Sequence, residues 1–313
     1  MSTNKELVRK ADLALADLAA DGGLLNDEQT NTFLRTLIDQ PTIINVARTV
    51  TMRAPTRQIN KIGFGSRIMR AAPASGTALA DADRAKPDLG QVLLTTSEAM
   101  AEVWLPYDVI EDNIERGNIN VGMESGAGGL HDTIVTLIAE RAALDLEELA
   151  LSGDTLSADA YLALQDGWLK LSSSHNVDAL GATIDKDLIK SGVKAMPDKY
   201  LRNRAAMMHF VSVDNETEYR DTYASRQTAL GDAQLQGTSP LYTFGSQLVG
   251  VPLMPGAQGL FTNPNNLIFG IQRKVTIEYD KDIRRRVFII VLTCRVALAV
   301  EETDAVVKYV NIG

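Results

Sequence analysis

Ile138-Ala-Glu-Arg-Ala-Ala-Leu-Asp-Leu-Glu-Glu-Leu-Ala-Leu-Ser-Gly-Asp154 is the second half of the longest helix that the sequence encodes. Leu130, Ile134, Leu137, Ile138, Leu144 and Leu149 recur on a helical period from about Gly129 to Leu151, and Ser152-Gly153-Asp154 stops the run. At a rise of about 1.5 Å per residue this helix spans roughly 35 Å, long enough to be the spine of a lobe. Gly126-Ala-Gly-Gly129 opens it and reads as a hinge or helix start.

Downstream, Asp166-Gly-Trp-Leu-Lys170 leads into a mixed region. Helices are expected after Asp185, with Leu188, Ile189, Val193 and Met196, and after Asp214, with Tyr219 and Tyr223. A strand, Met207 to Val213, lies between them, and Leu248 to Met254 is a further one. Leu230 to Gly245, rich in Gly, Gln, Thr and Ser, reads as a surface loop. From Leu267 onward the pattern is almost all strand: Leu267–Ile271, Val275–Tyr279, Arg286–Val300 and Ala305–Val310. No fixed-period repeat appears, which argues against a solenoid or propeller.

Upstream, residues 1–52 read as an arm that packs on something else. One amphipathic helix over 4–20 carries Leu7, Leu15 and Leu18, and a second after Asn26 carries Phe33, Leu34, Leu37 and Ile38 towards Pro41. From Ala54 to Pro106 the period changes to that of strands. Ile62, Phe64 and Ile68 alternate with polar or small residues, and Val92 to Leu105 alternates with Glu98, Glu102 and Trp104. The polar segment Ala71 to Asp88 between them makes the whole stretch, 53–106, read as a protruding hairpin. Two strands alone are marginal in water, so a partner surface should support them.

Charge sorts along this hairpin. Residues 40–80 hold no acid but six bases: Arg48, Arg53, Arg57, Lys61, Arg67 and Arg70. Residues 87–115 hold no base but seven acids, Glu98 and Glu102 among them. Two compatible readings remain open: the strands complement each other across their ladder, or each meets the opposite charge on a neighbouring copy. The Arg284-Arg285-Arg286 run, close to Glu278, Asp280 and Asp282, reads as a solvated turn or as a source of protein–protein salt bridges.

Composition sets the outer bounds. At 313 residues the chain exceeds the usual size of a single core, so two or more lobes are expected. A net charge of −9 argues against a general nucleic-acid binder. Cys294 is the one cysteine, which excludes an intramolecular disulfide framework and a cysteine-rich zinc module. The longest apolar run, Val287 to Leu292, falls far short of the ~20 residues that cross a bilayer. The opening Met1-Ser-Thr-Asn-Lys-Glu6 holds no hydrophobic segment, and a protein made and kept in a cytosol is expected.

Catalytic patterns are missing. His131, His175 and His209 are far apart, without HExxH or CxxC companions, and read as structural. The glycines form no Walker loop, and Ser66 and Ser246 follow glycine without a nucleophile elbow. Cys294 lies in an apolar strand and reads as a buried thiol. Asn215-Glu-Thr217 matches a glycosylation sequon by chance. The expectation is a chain with no catalytic residue, no metal site and no cofactor.

The order of elements is informative: helical arm, long hairpin, spine helix, mixed lobe, all-strand finish. It resembles the major capsid protein of tailed bacteriophages, an α+β chain of the Hong Kong 97 fold. Pro106-Tyr-Asp-Val-Ile-Glu-Asp112 resembles that family's junction between hairpin and spine, and Ile138 to Asp154 its spine helix ending in Gly-Asp. Asp166-Gly-Trp-Leu169, Val193 to Tyr200, Leu248-Val-Gly-Val-Pro-Leu-Met-Pro255 and Asn266-Leu-Ile-Phe-Gly270 are similar to successive family elements. The resemblance covers about Arg48 to Ile312.

That resemblance implies an N-terminal arm (1–52), an extended β-hairpin loop (53–106) lying over a neighbouring subunit, a peripheral domain with the spine helix (107–165 and 265–313) and an axial domain (166–264). Residues 230–245 would then approach a five- or six-fold axis. The implied activity is self-assembly into hexamers and pentamers of an icosahedral shell. The implied partners are a separate scaffolding protein, a portal, a decoration protein and packaged double-stranded DNA held by weak contact, with no membrane. Arg53, Arg57, Lys61, Arg67, Arg70, Glu98, Glu102, Arg284, Arg285 and Arg286 are the candidate contacts between copies. A cellular encapsulin shell and a soluble enzyme binding a phosphate or sugar at the Gly126–Gly129 helix start are the competing readings.

Overall fold

The computed structural model describes residues 42–64, 67–72, 75, 78–106, 130–224 and 240–313. The two expected arm helices, the Gly126–Gly129 helix start and most of the expected loop over 230–245 lie outside these residues.

A single helical turn, α1 (Ile43–Val46), leads into β1 (Arg48–Thr51). β2 (Thr56–Gly63), β3 (Asp88–Thr95) and β4 (Ser97–Pro106) follow, and then the spine helix α2 (Leu130–Ser152), 23 residues long. Next in the chain come α3 (Trp168–Leu171), β5 (His175–Asp178), α4 (Lys186–Ala195), β6 (Met208–Ser212) and α5 (Val213–Ala224). β7 (Leu241–Thr243), β8 (Ser246–Val251), β9 (Gly259–Thr262), β10 (Leu267–Asp282), β11 (Val287–Val300) and β12 (Val306–Val310) complete the chain.

A four-stranded sheet has the order β1-β10-β11-β4. Its centre, β11, reads Val-Phe-Ile-Ile-Val-Leu-Thr-Cys-Arg-Val-Ala-Leu-Ala-Val, the near-continuous apolar pattern of a strand covered on both faces. Cys294, Val296 and Leu298 turn to the core beneath α2, while Ala297 and Ala299 turn to a second cluster with Val50, Met52, Leu94 and Ile268. The segments Leu267–Ile271 and Val275–Tyr279, read as two strands, form one strand whose register shifts between Ile271 and Thr276.

A six-stranded sheet has the order β5-β12-β9-β6-β8-β7. Its strands cross the expected division of the chain. β12, expected with the rest of 265–313, pairs with β5 on one side and β9 on the other, inside the sheet built from 166–264. β7 also replaces the last part of the expected loop. One face of this sheet shares the core with Leu149, Leu151 and Trp168. The other face carries α4 and α5, through Ile189, Val193 and Tyr219 against Val211, Phe261, Val307 and Tyr309. Asp185 caps α4 by accepting from the N–H groups of Asp187 at 2.9 Å and Leu188 at 2.7 Å.

Two polar side chains lock the interior. Gln165 donates to the carbonyls of Thr95 at 3.0 Å and Val296 at 2.8 Å and accepts from the N–H of Leu298 at 2.9 Å. His209 stacks on Phe261 with centroids 4.1 Å apart and shares a hydrogen bond of 3.0 Å with the Tyr309 hydroxyl. Burial pushes the His209 imidazole down to about 3, so it is a neutral core residue. Among the described residues, no helix is long and apolar enough to cross a membrane.

Candidate assembly surface

The hairpin is shorter than expected. β2 and β3 pair alone, from Thr56↔Thr95 to Gly63↔Asp88, and the chain then turns at Thr96 so that β4 runs along β11. Glu98 and Glu102 therefore belong to the four-stranded sheet. Charge does not match across the hairpin ladder either: Arg57 lies opposite Leu94, and Lys61 opposite Gly90.

Strand alternation gives the hairpin two unlike faces. Arg57, Ile59, Lys61, Val92 and Leu94 share the face turned to the four-stranded sheet, where Leu94 is fully buried against Val50, Met52 and Ala297. The bases of this face act within their own chain. Arg57 donates to the Thr51 carbonyl at 2.5 Å, and the Lys61 ammonium to the Glu301 carbonyl at 2.5 Å and the Glu302 carboxylate at 3.3 Å. Thr96 adds bonds to the Pro55 carbonyl and the Gln272 side chain. The opposite face presents Ile62, Leu89 and Leu93, exposed by 73%, 76% and 57%, among Gln58, Asn60 and Gln91. Phe64, Ile68 and Met69 extend this apolar exposure towards the tip.

The other expected contacts scatter. Arg70 pairs with Asp83 at 2.6 Å near the tip. Glu98 receives the Arg295 guanidinium opposite it on β11 at 2.8 Å, and Glu102 accepts from the Trp104 indole. In the β10–β11 turn the Asp282 carboxylate accepts from the N–H groups of Arg284 and Arg285, Arg286 adopts a φ of +58°, and the Arg285 guanidinium lies 5.0 Å from the Trp104 ring centre. Arg53, Arg67 and Arg284 are exposed and make no ion pair with another described residue. The charge pattern thus marked the root of the hairpin, and the outward face was carried by Ile62, Leu89 and Leu93, whose alternation with amides was the available signal.

Chemistry of other kinds has little to work with. Among the described residues no group of three His, Cys, Asp or Glu could hold a metal ion. A cleft of about 300 Å³ below the end of α2 is lined by Asp154, Lys170, Gln258 and Lys308. Lys170 is held at 2.7 Å by both Asp154 and Asp166, which keeps the two carboxyls below their ordinary range.

A spine helix across two sheets, a last strand that returns to the second sheet, and a fastened hairpin with an uncovered apolar face define a shell subunit of the Hong Kong 97 fold. Solved structures agree. The chain superposes on the capsid of an empty GTA particle with a TM-score of 0.65, at 15% identity over 96% of this chain and 100% of that one. A structure from satellite phage P4, a procapsid including the size determination (Sid) protein, gives 0.63 at 13% identity over 100% of this chain and 98% of that one. A Mycobacterium phage Cain structure gives 0.58 at 15% identity over 93% of each chain. No protein-family model matches the chain. In sequence it is 43% identical, over 99% of both chains, to YqbE, a candidate prophage capsid protein of Bacillus subtilis (strain 168). The chain belongs to the phage capsid protein family.

Proposed function

We propose that this chain is a major capsid protein whose copies form hexamers and pentamers and close into the icosahedral head around the double-stranded DNA of a tailed bacteriophage. The carrying observation is the hairpin: its root is fastened by Leu94 and Lys61, and its other face leaves Ile62, Leu89 and Leu93 in solvent. An exposed apolar ladder of this kind is a contact surface waiting for a neighbour. Closed shells need many weak heterologous contacts per subunit, and a hairpin adds such contact without a deeper core.

In this reading 107–165 and the strands β10 and β11 (Leu267–Val300) form the peripheral part. Residues 166–264 form the axial part together with the returning strand Val306–Val310, and 230–245 approaches the ring axis. Residues 42–52 pack within their own chain, through α1 on Glu147 and β1 on β10, so the part of the expected arm before Thr42 is what is left to reach a neighbour, and the exposed Arg53, Arg67 and Arg284 face acids of adjoining copies. A separate scaffolding protein sets curvature, a portal fills one vertex, a decoration protein covers the outside, and DNA meets the inside weakly. The role is structural, in the virion capsid, after assembly in the cytoplasm of a bacterial host. Size-exclusion chromatography with light scattering, then negative-stain electron microscopy, tests it on the full chain with its scaffold. Hexamers, pentamers or shells are expected; a monomer even with scaffold overturns the reading.

A further inference from the structure

The two helices on the outer face of the six-stranded sheet carry opposite charges. α4 packs on β5 and β12, towards the β5 edge, and α5 packs on β8 and β6, towards the β7 edge. On α4 the exposed Lys186, Lys190 and Lys194 follow at intervals of four, one ridge roughly 12 Å long. On α5 the exposed Asp214, Glu218 and Asp221 follow at intervals of four and three, a ridge roughly 10 Å long.

Among the described residues neither ridge is neutralised within the chain. None of these six residues makes an ion pair with another described residue. Asp187 is the one acid on α4. On α5 the Arg220 guanidinium is taken by Glu216 at 2.6 Å, so the remaining charge is acidic. Each ridge also has an apolar neighbour. Leu180, 86% exposed, lies in the turn before α4, and Tyr242, 66% exposed, lies on β7, where the adjacent Thr243 bonds the Tyr219 hydroxyl of α5.

We infer that the Lys186/Lys190/Lys194 ridge of one copy seats against the Asp214/Glu218/Asp221 ridge of the next, head to tail around a ring. This rests on the reading of the chain as a ring-forming shell subunit. Within one copy β9 lies between the strands that carry the two helices, and no ion pair joins the ridges there. Rotation about a ring axis brings unlike edges of neighbouring copies together, whereas a flipped neighbour sets like charges against each other. A nucleic-acid backbone is the poorer occupant, since the acidic ridge on the same face repels it.

Two full-length variants test the pairing: one with Lys186→Glu, Lys190→Glu and Lys194→Glu, the other with Asp214→Lys, Glu218→Lys and Asp221→Lys. Each alone places like charges at every joint, so neither should form rings where the wild type does, although its circular dichroism is unchanged. Mixed one to one, unlike joints return only when the variants alternate, which a six-membered ring permits and a five-membered ring forbids. The expected products are hexamers holding equal numbers of both variants in native mass spectrometry, and no closed shell. Should a swap misfold, the Lys→Gln triple carries the test, with the protein concentration needed for assembly rising about tenfold. Variants that assemble normally beside an assembling wild type, a mixture that recovers no rings, or a lysine variant that assembles but loses packaged DNA overturn the pairing alone. A wild type that stays monomeric with scaffold overturns the shell reading and the pairing together.

Discussion

Glu147 reaches back 104 residues to accept the backbone N–H of Ile43 at 2.5 Å, and it also accepts that of Thr42 at 2.6 Å. A helix of one turn cannot hold itself, so this carboxylate, 1% exposed on the spine helix, fixes the start of α1. The bond joins the N-terminal segment to the longest rigid element of the fold.

Glu147→Ala leaves two N–H groups without their acceptor, one of them buried, at about 1–3 kcal/mol, a fall of several degrees in melting temperature. Glu147→Gln keeps an acceptor and removes a buried charge, so it should stay within about 1 kcal/mol of wild type. Burial raises the Glu147 carboxyl above 4.5, outweighing the backbone donors that lower it. The native state therefore holds this proton longer than the unfolded chain, and stability falls as pH rises through the window just above 4.5. Urea midpoints at pH 4.5 and 7 should show wild type gaining on Glu147→Gln at the lower pH; parallel profiles would remove Glu147 from this role.

His209 has the opposite linkage. Its native value of about 3 lies below the ordinary 6.5, so the unfolded chain binds the proton first and stability is lost as pH falls from 6.5 towards 3. The slope is about 1.4 kcal/mol per pH unit inside that window. His209→Phe keeps the stacking on Phe261 but leaves the Tyr309 hydroxyl alone. It should be weaker at pH 7.5 by about 1–3 kcal/mol and flatter towards pH 5; an unchanged slope would assign the acid sensitivity elsewhere.

Gly192, buried on α4, lies against the Tyr309 ring, and a Cβ there would overlap the hydroxyl. Gly192→Ala should therefore cost about 1–3 kcal/mol despite alanine's better helix propensity. A rise in melting temperature instead would mean that β12 can retreat from α4.

Local patterns were legible where one element sufficed. The stripe from Leu130 to Leu149 foretold the spine helix, and Asp185 announced α4 through its cap. Long-range pairing was not. Nothing in Val306-Val-Lys-Tyr-Val310 says that it inserts between His175–Asp178 and Gly259–Thr262 rather than beside the strand before it, because that choice is made by two distant ladders. The split at Thr96 was hidden for the same reason: β3 and β4 are both alternating strands, and only β11 separates their fates. For Arg57 and Lys61 the sequence shows charge but not which face of a twisted ladder it occupies, and the structure engages both within their own chain.

The two faces of the hairpin should separate folding from assembly. Lys61→Ala removes the bonds to Glu301 and Glu302, partly exposed ones, so it should cost about 0.5–1.5 kcal/mol and hasten proteolysis within 53–106. Ile62→Asp with Leu89→Asp alters a pair that lies side by side on the solvent face and touches no core cluster. Its monomer should melt within about 0.5 kcal/mol of wild type, while shells fail to form under the microscope. Should the Ile62/Leu89 variant make normal shells, the apolar face meets no neighbour, and Arg53 and Arg67 become the better candidates for what this hairpin touches.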